Sequence, residues 1–347
     1  MKLFDTNFCE DQAVKALGLI QKGDIGFGSL SLELERLFKN YSGNEYNIST
    51  NSASAAAFMI FDYLKSIHGT CDIYTPSIGF TSPVWAAKHL GHNIFFVDVD
   101  DHLLFDYNDY LNKRGGRNTN QTVIMPILYG GLSDIPNKKT KGDEIIVTDS
   151  AHCVTPKINS HFTFFSFHPR KPICSSDGGM ISTDDQNACD FFNCYRNFGR
   201  QNNKKSYDVI QSGFKFYMNN LNSCIAIESS KTHRYRLQER KDNFKSLKNR
   251  TAVFDDILFN SNLLPHDENS SYYFATVIAN ENNRDKLKKY YPTQTHYPLL
   301  HKTKYFNEGL ELENSETIHE NIINIPLYKN VDLKIEHIWS DSIYFKS

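Results

Sequence analysis

The sequence predicts a doubly wound α/β domain with a mostly parallel sheet, followed by a smaller α+β domain. Three observations carry this reading. Short, continuously apolar runs recur through the first two-thirds of the 347 residues: NIFFV at Asn93–Val97, and further runs at 122–125 and 144–148. Runs without polar alternation suit strands covered on both faces. Helical patterns fall between these runs, and alternating strands and helices wind a parallel sheet. From about Tyr207 the texture changes to one long helical stretch and weaker strands.

Taken in order, residues 47–50 read as a strand. Residues 53–65 follow as a helix, with Ala55, Ala56, Met59, Ile60 and Tyr63 on one side. A strand at 72–75 and a helix at 80–90 come next, then the three apolar runs. TFFSF at 163–167 is a further strand, and another resumes after Gly178-Gly179. Residues 221–247 read as a long helix with a charged second half. Weaker strand character follows around 272–278, and a Lys-rich helical piece at 284–290. The boundary is placed so that the large domain is 1–235 and the small one 236–347.

Composition narrows the function classes. Forty acidic residues nearly balance 38 basic ones, for a formal charge of -2. That leaves no electrostatic footprint for nucleic acid or anionic membranes. Asp5, Glu10 and Asp11 interrupt the opening segment, so it does not read as a secretory signal. The seven cysteines are odd in number and lack C-x-x-C spacing. They read as reduced thiols of a cytoplasmic protein, not as a disulfide frame or a metal site.

Four segments carry chemistry. In TFFSFHPRKPICSSDGGMIST (163–183), Lys171 sits on a loop between two apolar strands. Desolvation there lowers an amine's pKa, which an imine-forming lysine needs; most lysines, by contrast, are merely solvated. In VTDSAH (147–152), Asp149 follows an apolar strand, where ligand sites gather in open α/β sheets. It can hold a cofactor's ring nitrogen protonated or simply cap a helix, and residue type does not choose between them. In TNSASAA (50–56), small and hydroxyl residues lie between a strand and a helix. They suit a phosphate cradle or ordinary capping. Phe80, in PSIGFTSPVW (76–85), either stacks on a planar ring or packs in the core.

The order and spacing of these pieces resemble the DegT/DnrJ/StrS sugar aminotransferases over nearly the whole chain. Gly26-Phe27-Gly28 with Leu34-Glu35, GHNIFFVDVD, MPILYGG and SGFKFYMNNLNSCIA resemble further segments of that family. So do HYPLLH (296–301) and INIPLY (323–328). The resemblance implies the fold type I architecture, with a seven-stranded sheet in the large domain. It also implies pyridoxal 5'-phosphate (PLP/PMP) as cofactor, L-glutamate as donor and a nucleotide-linked 3- or 4-keto-deoxysugar as acceptor. A homodimer with interface active sites, serving surface-glycan biosynthesis, completes the expectation.

By the same resemblance Lys171 is the imine-forming lysine and Asp149 the partner of the pyridinium nitrogen. His152 meets the cofactor's phenolic oxygen, and Phe80 stacks on its ring. Ser52, Ala53, Ser54 and the Ser166 hydroxyl hold its phosphate. Lys215 reaches the phosphate of the partner subunit's cofactor. Several positions depart from the family pattern: Ile127 stands where the family has His, Ser175-Ser176-Asp177 replaces Thr-Gly-Glu, and Tyr217 replaces Arg or Asn. Three other readings stay open here: transfer to a small keto-phosphate, a PLP-dependent sugar dehydratase and a non-catalytic relative. Lys171 argues against the dehydratase, which carries His there.

Overall fold

The computed structural model describes residues 8, 10–115, 120–133, 143–155, 158–201, 208–253, 263–279, 297–306 and 309–328. Strands β1 (Tyr46–Thr50), β2 (Cys71–Pro76), β3 (Asn93–Val97), β4 (Gln121–Ile124), β5 (Ile145–Asp149), β6 (Phe162–Ser166) and β7 (Gly179–Thr183) form one sheet. Its order is β1-β7-β6-β5-β4-β2-β3. The strands from β6 to β3 in that order pair in parallel, and β7 runs antiparallel to both its neighbours. This is the mostly parallel α/β sheet the sequence predicts, with the seven strands the family resemblance implies.

Alternation within strands explains the double coverage. Phe162 and Phe164 of β6 face the cluster built on α3 (Ala53–His68), α4 (Thr81–His89) and α6 (Gln186–Tyr195). Phe165, and Met180 of β7, face the opposite cluster, built on α2 (Ser29–Ser42) and α7 (Asn220–Val253). Each fully buried side chain of this size contributes about 1.5–3 kcal/mol. Helix starts follow local chemistry. Ser52 caps α3 by accepting the Ala55 N–H at 3.1 Å. Asp185 caps α6, and Asp106 caps the short α5 (Tyr107–Arg114).

α1 (Glu10–Lys22) packs against α7, and α7 runs unbroken through residue 235. Its Phe244 and Leu247 pack on the two-stranded sheet of β8 (Phe274–Ile278) and β9 (Ile322–Pro326). Helix α8 (Glu313–Asn321) leads into β9. The expected helix at 284–290 lies outside the described residues. Observed strand ends differ from the expected ones by one or two residues, and one shift matters. Asp149 closes β5 and does not merely follow it, so its backbone is locked in the ladder. No helix among the described residues is long and apolar enough to cross a membrane. The six cysteines among the described residues are free thiols.

One buried ion pair ties three elements together. Arg196, at the end of α6, is fully enclosed and binds Glu35 of α2. It also donates to the Ser49 carbonyl of β1 at 2.8 Å, while Ser49 donates its N–H and hydroxyl to Glu35. Removing the arginine leaves a carboxylate without its counter-ion. Arg196→Ala is therefore expected to lower the unfolding free energy by about 3–5 kcal/mol. A urea titration checks this, and a midpoint equal to wild type would mean the pair is incidental.

Candidate active site

The chemistry-bearing segments converge at the carboxyl end of β5. Asp149 is 5% exposed and Lys171 8% exposed. Burial pushes the Asp149 carboxyl up, opposed by the Ala151 N–H and by the Lys171 charge. Burial pulls the Lys171 amine down, opposed by Asp149 and reinforced by Arg170. The two charges therefore feel each other in a site largely closed to water. The Asp149 backbone is fixed on both sides: its N–H donates to Pro126 at 2.9 Å, and its carbonyl accepts from Leu128 at 3.0 Å. Its Oδ1 accepts the Ala151 N–H at 2.9 Å, but a turn follows, not a helix. The helix-cap alternative thus loses its helix.

His152 stands beside this pair, enclosed by tyrosines. Its Nδ1 accepts the Gly130 N–H at 3.3 Å, which leaves Nε2 to donate to Tyr297 Oη at 2.8 Å. Its ring lies 4.5 Å from that of Tyr273 and stacks with Tyr297 at 5.6 Å. Gly131 lets these groups meet. It has φ 83°, and a Cβ there would come within 2.9 Å of the Tyr273 nitrogen and 3.1 Å of the His152 carbonyl. Burial raises the hydroxyl pKa of both tyrosines, so both remain donors at neutral pH. The Lys171 amine stands over the Tyr273 ring, 5.3 Å from its centre.

The second half of the site is the turn from β1 into α3. Ser52 is the cap, Ala53 the first helical residue, and Ser54 donates to Ser82 Oγ at 2.8 Å. Ser166 pairs in register with Gly179. A Cβ at Gly179 would fall 2.6 Å from the Ala53 nitrogen. The register and that close approach bring Ser166 beside the α3 start. The 215–217 segment also lies here. Asn51 donates its N–H to Phe216 at 2.7 Å and its side-chain amide to the Lys215 carbonyl at 3.1 Å. The Lys215 side chain is exposed and stands over Tyr217, 5.7 Å from the ring centre. Phe80 caps α4, is 53% exposed and meets Tyr297 at 5.6 Å. It lies at the surface beside Tyr297, not in the core.

A family model, the DegT/DnrJ/EryC1/StrS aminotransferase family, matches residues 9–339. The chain belongs to that family. An uncharacterised protein of Methanocaldococcus jannaschii is 23% identical over 92% of this chain and 90% of its own. Two solved structures share the fold. Helicobacter pylori PseC, an aminotransferase involved in the biosynthesis of pseudoaminic acid, aligns with TM-score 0.83 at 18% identity, over 99% of each chain. Spr1654 of Streptococcus pneumoniae, a putative sugar aminotransferase in its PMP form, aligns with TM-score 0.82 at 21% identity, over 100% of this chain and 96% of its own.

The family's enzymes are PLP-dependent aminotransferases, and the residues present fit that cofactor. A helix start with hydroxyl groups suits a phosphate, a buried carboxyl suits a protonated ring nitrogen, and a desolvated amine suits an aldehyde. Sequence reasoning missed Tyr273 and Tyr297. Tyr297 lies inside the HYPLLH segment, but only its tertiary contact with His152 marks it. That contact depends on a latch: Ser77 Oγ meets His301 Nδ1 at 2.5 Å, and His301 Nε2 meets Glu316 at 3.1 Å.

The lowered Lys171 pKa gives a pH signature. Only the neutral amine attacks an aldehyde, and burial makes it available below the ordinary lysine value of 10.5. Apoprotein should therefore take up PLP at a rate that rises with pH and levels off well below 10.5. A rate still climbing at that pH, like that of a free lysine peptide, would contradict the desolvated setting.

Proposed function

We propose that this aminotransferase moves an amino group from L-glutamate to C3 or C4 of a nucleotide-linked keto-deoxysugar. It works as a cytoplasmic homodimer serving surface-glycan biosynthesis. The observation that carries the chemistry is the buried Asp149–Lys171 pair beside the α3 start. The sugar acceptor is supported by family membership and by the likeness to PseC, an aminotransferase of pseudoaminic acid biosynthesis, and to Spr1654, a putative sugar aminotransferase.

When bound, PLP supplies an electrophilic carbon and an electron sink for the amine exchange. The chain supplies positioning and proton transfer. The N–H groups of Ser52, Ala53 and Ser54 and the Ser166 hydroxyl hold the phosphate. Asp149 keeps the ring nitrogen protonated, because its carboxylate lies in a site largely closed to water and its charge is little screened there. Lys171 Nζ would take the proton from the donor α-carbon and deliver it to the cofactor's C4′ carbon, and run the same transfer in reverse at the acceptor carbon. Phe80 covers a face of the ring, and His152, oriented by Gly130 and Tyr297, meets its phenolic oxygen. Lys215 extends toward the phosphate of the second subunit. The walls of Tyr129, Tyr273 and Tyr297 exclude water from the reacting atoms.

Visible absorption spectroscopy tests this directly. PLP-loaded protein should show a band that bleaches on adding L-glutamate, and a keto-sugar nucleotide should restore it. A band indifferent to glutamate would remove the donor assignment. Lys171→Ala should abolish turnover; retained turnover would move the role elsewhere. Asp149→Asn should slow turnover by about 100-fold or more while leaving the fold intact. Near-normal turnover would leave Asp149 a turn residue only.

A further inference from the structure

Helix α7 carries a buried cation that the reading above does not use. Arg240 is 6% exposed. Among the described residues its guanidinium makes no hydrogen bond and no ion pair, and it stands over the Tyr273 ring, with Cζ 5.9 Å from the centre. The other enclosed arginines differ. Arg196 binds Glu35, and Arg114 binds Asp143 and Glu144. One turn before Arg240, Arg236 donates to Pro172 O at 3.0 Å and to Ser229 O and Oγ at 2.9 Å each. Pro172 follows Lys171, so α7 is fastened to the lysine loop at this level. The carboxylate whose charge bears on Arg240 is that of Glu239, its chain neighbour, and its effect is weaker than those of burial, Arg236, Tyr273 and Cys174.

A guanidinium removed from water without a counter-ion is strongly unfavourable, so its usual explanation is an anion that arrives with a ligand. The place identifies the anion. Tyr273 bears both Arg240 and Lys171, so the guanidinium faces the same ring as the reacting amine. The cofactor's phosphate has its own cradle at the start of α3. A nucleotide's diphosphate is bulky and needs an open surface, which a nearly closed guanidinium does not offer. The planar fork suits a carboxylate. We infer that Arg240 receives a carboxylate of the amino donor, and so selects an acidic amino acid as the donor that meets Lys171. The inference rests on the aminotransferase reading above and names the residue behind its donor.

Thermal unfolding of the PLP-loaded protein with glutarate tests it. Glutarate carries the donor's carboxylates but neither an amine nor a ketone, so binding is read without turnover. Wild type should gain stability with glutarate. Arg240→Met should melt higher than wild type without ligand, because an uncompensated charge is gone, and should gain nothing from glutarate. Arg240→Lys keeps the charge but loses the fork. It should fold normally and bind glutarate about 10- to 100-fold more weakly than wild type. Equal glutarate binding by Arg240→Lys and wild type would overturn the inference. So would a wild-type response to UDP or inorganic phosphate, and not to glutarate, that disappears in the variants. Cofactor absorbance, recorded on the same samples, separates the two failures. Its absence from wild type would count against the PLP reading, and its presence with unchanged glutarate binding against Arg240 alone.

Discussion

Two opposite charges held out of water at the end of β5 set the requirements for everything around them. Neither Asp149 nor Lys171 is a comfortable buried residue alone, because desolvation disfavours each charged form. Side by side, each moderates the shift of the other. That balance leaves a lysine whose amine loses its proton more readily than usual and a carboxyl that binds one more readily. The first is a property an amine-exchange site needs, and a carboxylate shielded from water acts strongly on any positive charge placed against it. The pair survives only if its geometry is imposed from outside, since two buried charges do not position themselves.

The fold imposes it by several independent means. The ladder contacts of β5 with Pro126 and Leu128 hold Asp149. Lys171 lies on the loop between β6 and β7, whose register sets Ser166 opposite Gly179. The absence of a side chain at Gly179 lets β7 approach the turn into α3, so the proposed phosphate cradle and the lysine loop share one edge. From the far end of the chain, His301 anchors residues 297–301 to Ser77, which delivers Tyr297 to His152. The proposed active site is thus assembled by β5, two loops and the 297–301 segment, each pinned by hydrogen bonds that do no chemistry.

The parts legible in the sequence were those encoded locally. Apolar runs marked the strands, with ends misplaced by a residue or two because periodicity does not encode where a ladder stops. Lys171 and Asp149 stood out because their short segments combine an apolar strand with an abrupt change of chemistry. What sequence order could not resolve was the choice between Asp149 as ligand partner and as helix cap. The backbone decides against a helix, since a turn follows at Ala151. Tyr273, Tyr297 and Arg240 stayed hidden for another reason. Their neighbours are far away in the chain: Tyr297 meets His152 across 145 positions. A tyrosine in a weak strand and an arginine in a charged helix look ordinary until tertiary packing buries them together. Phe80 shows the same limit in reverse. Its type suggested either a core or a stacking role, and only its exposure and its contact with Tyr297 place it outside the core.

The central claim is that one lysine, made reactive by burial beside Asp149, is the point of covalent attachment. Borohydride reduction of the PLP-loaded protein, followed by peptide mass mapping, addresses it most directly. The account predicts a single phosphopyridoxyl adduct, on the peptide that contains Lys171. An adduct on another lysine, or one spread over several exposed lysines, would contradict it.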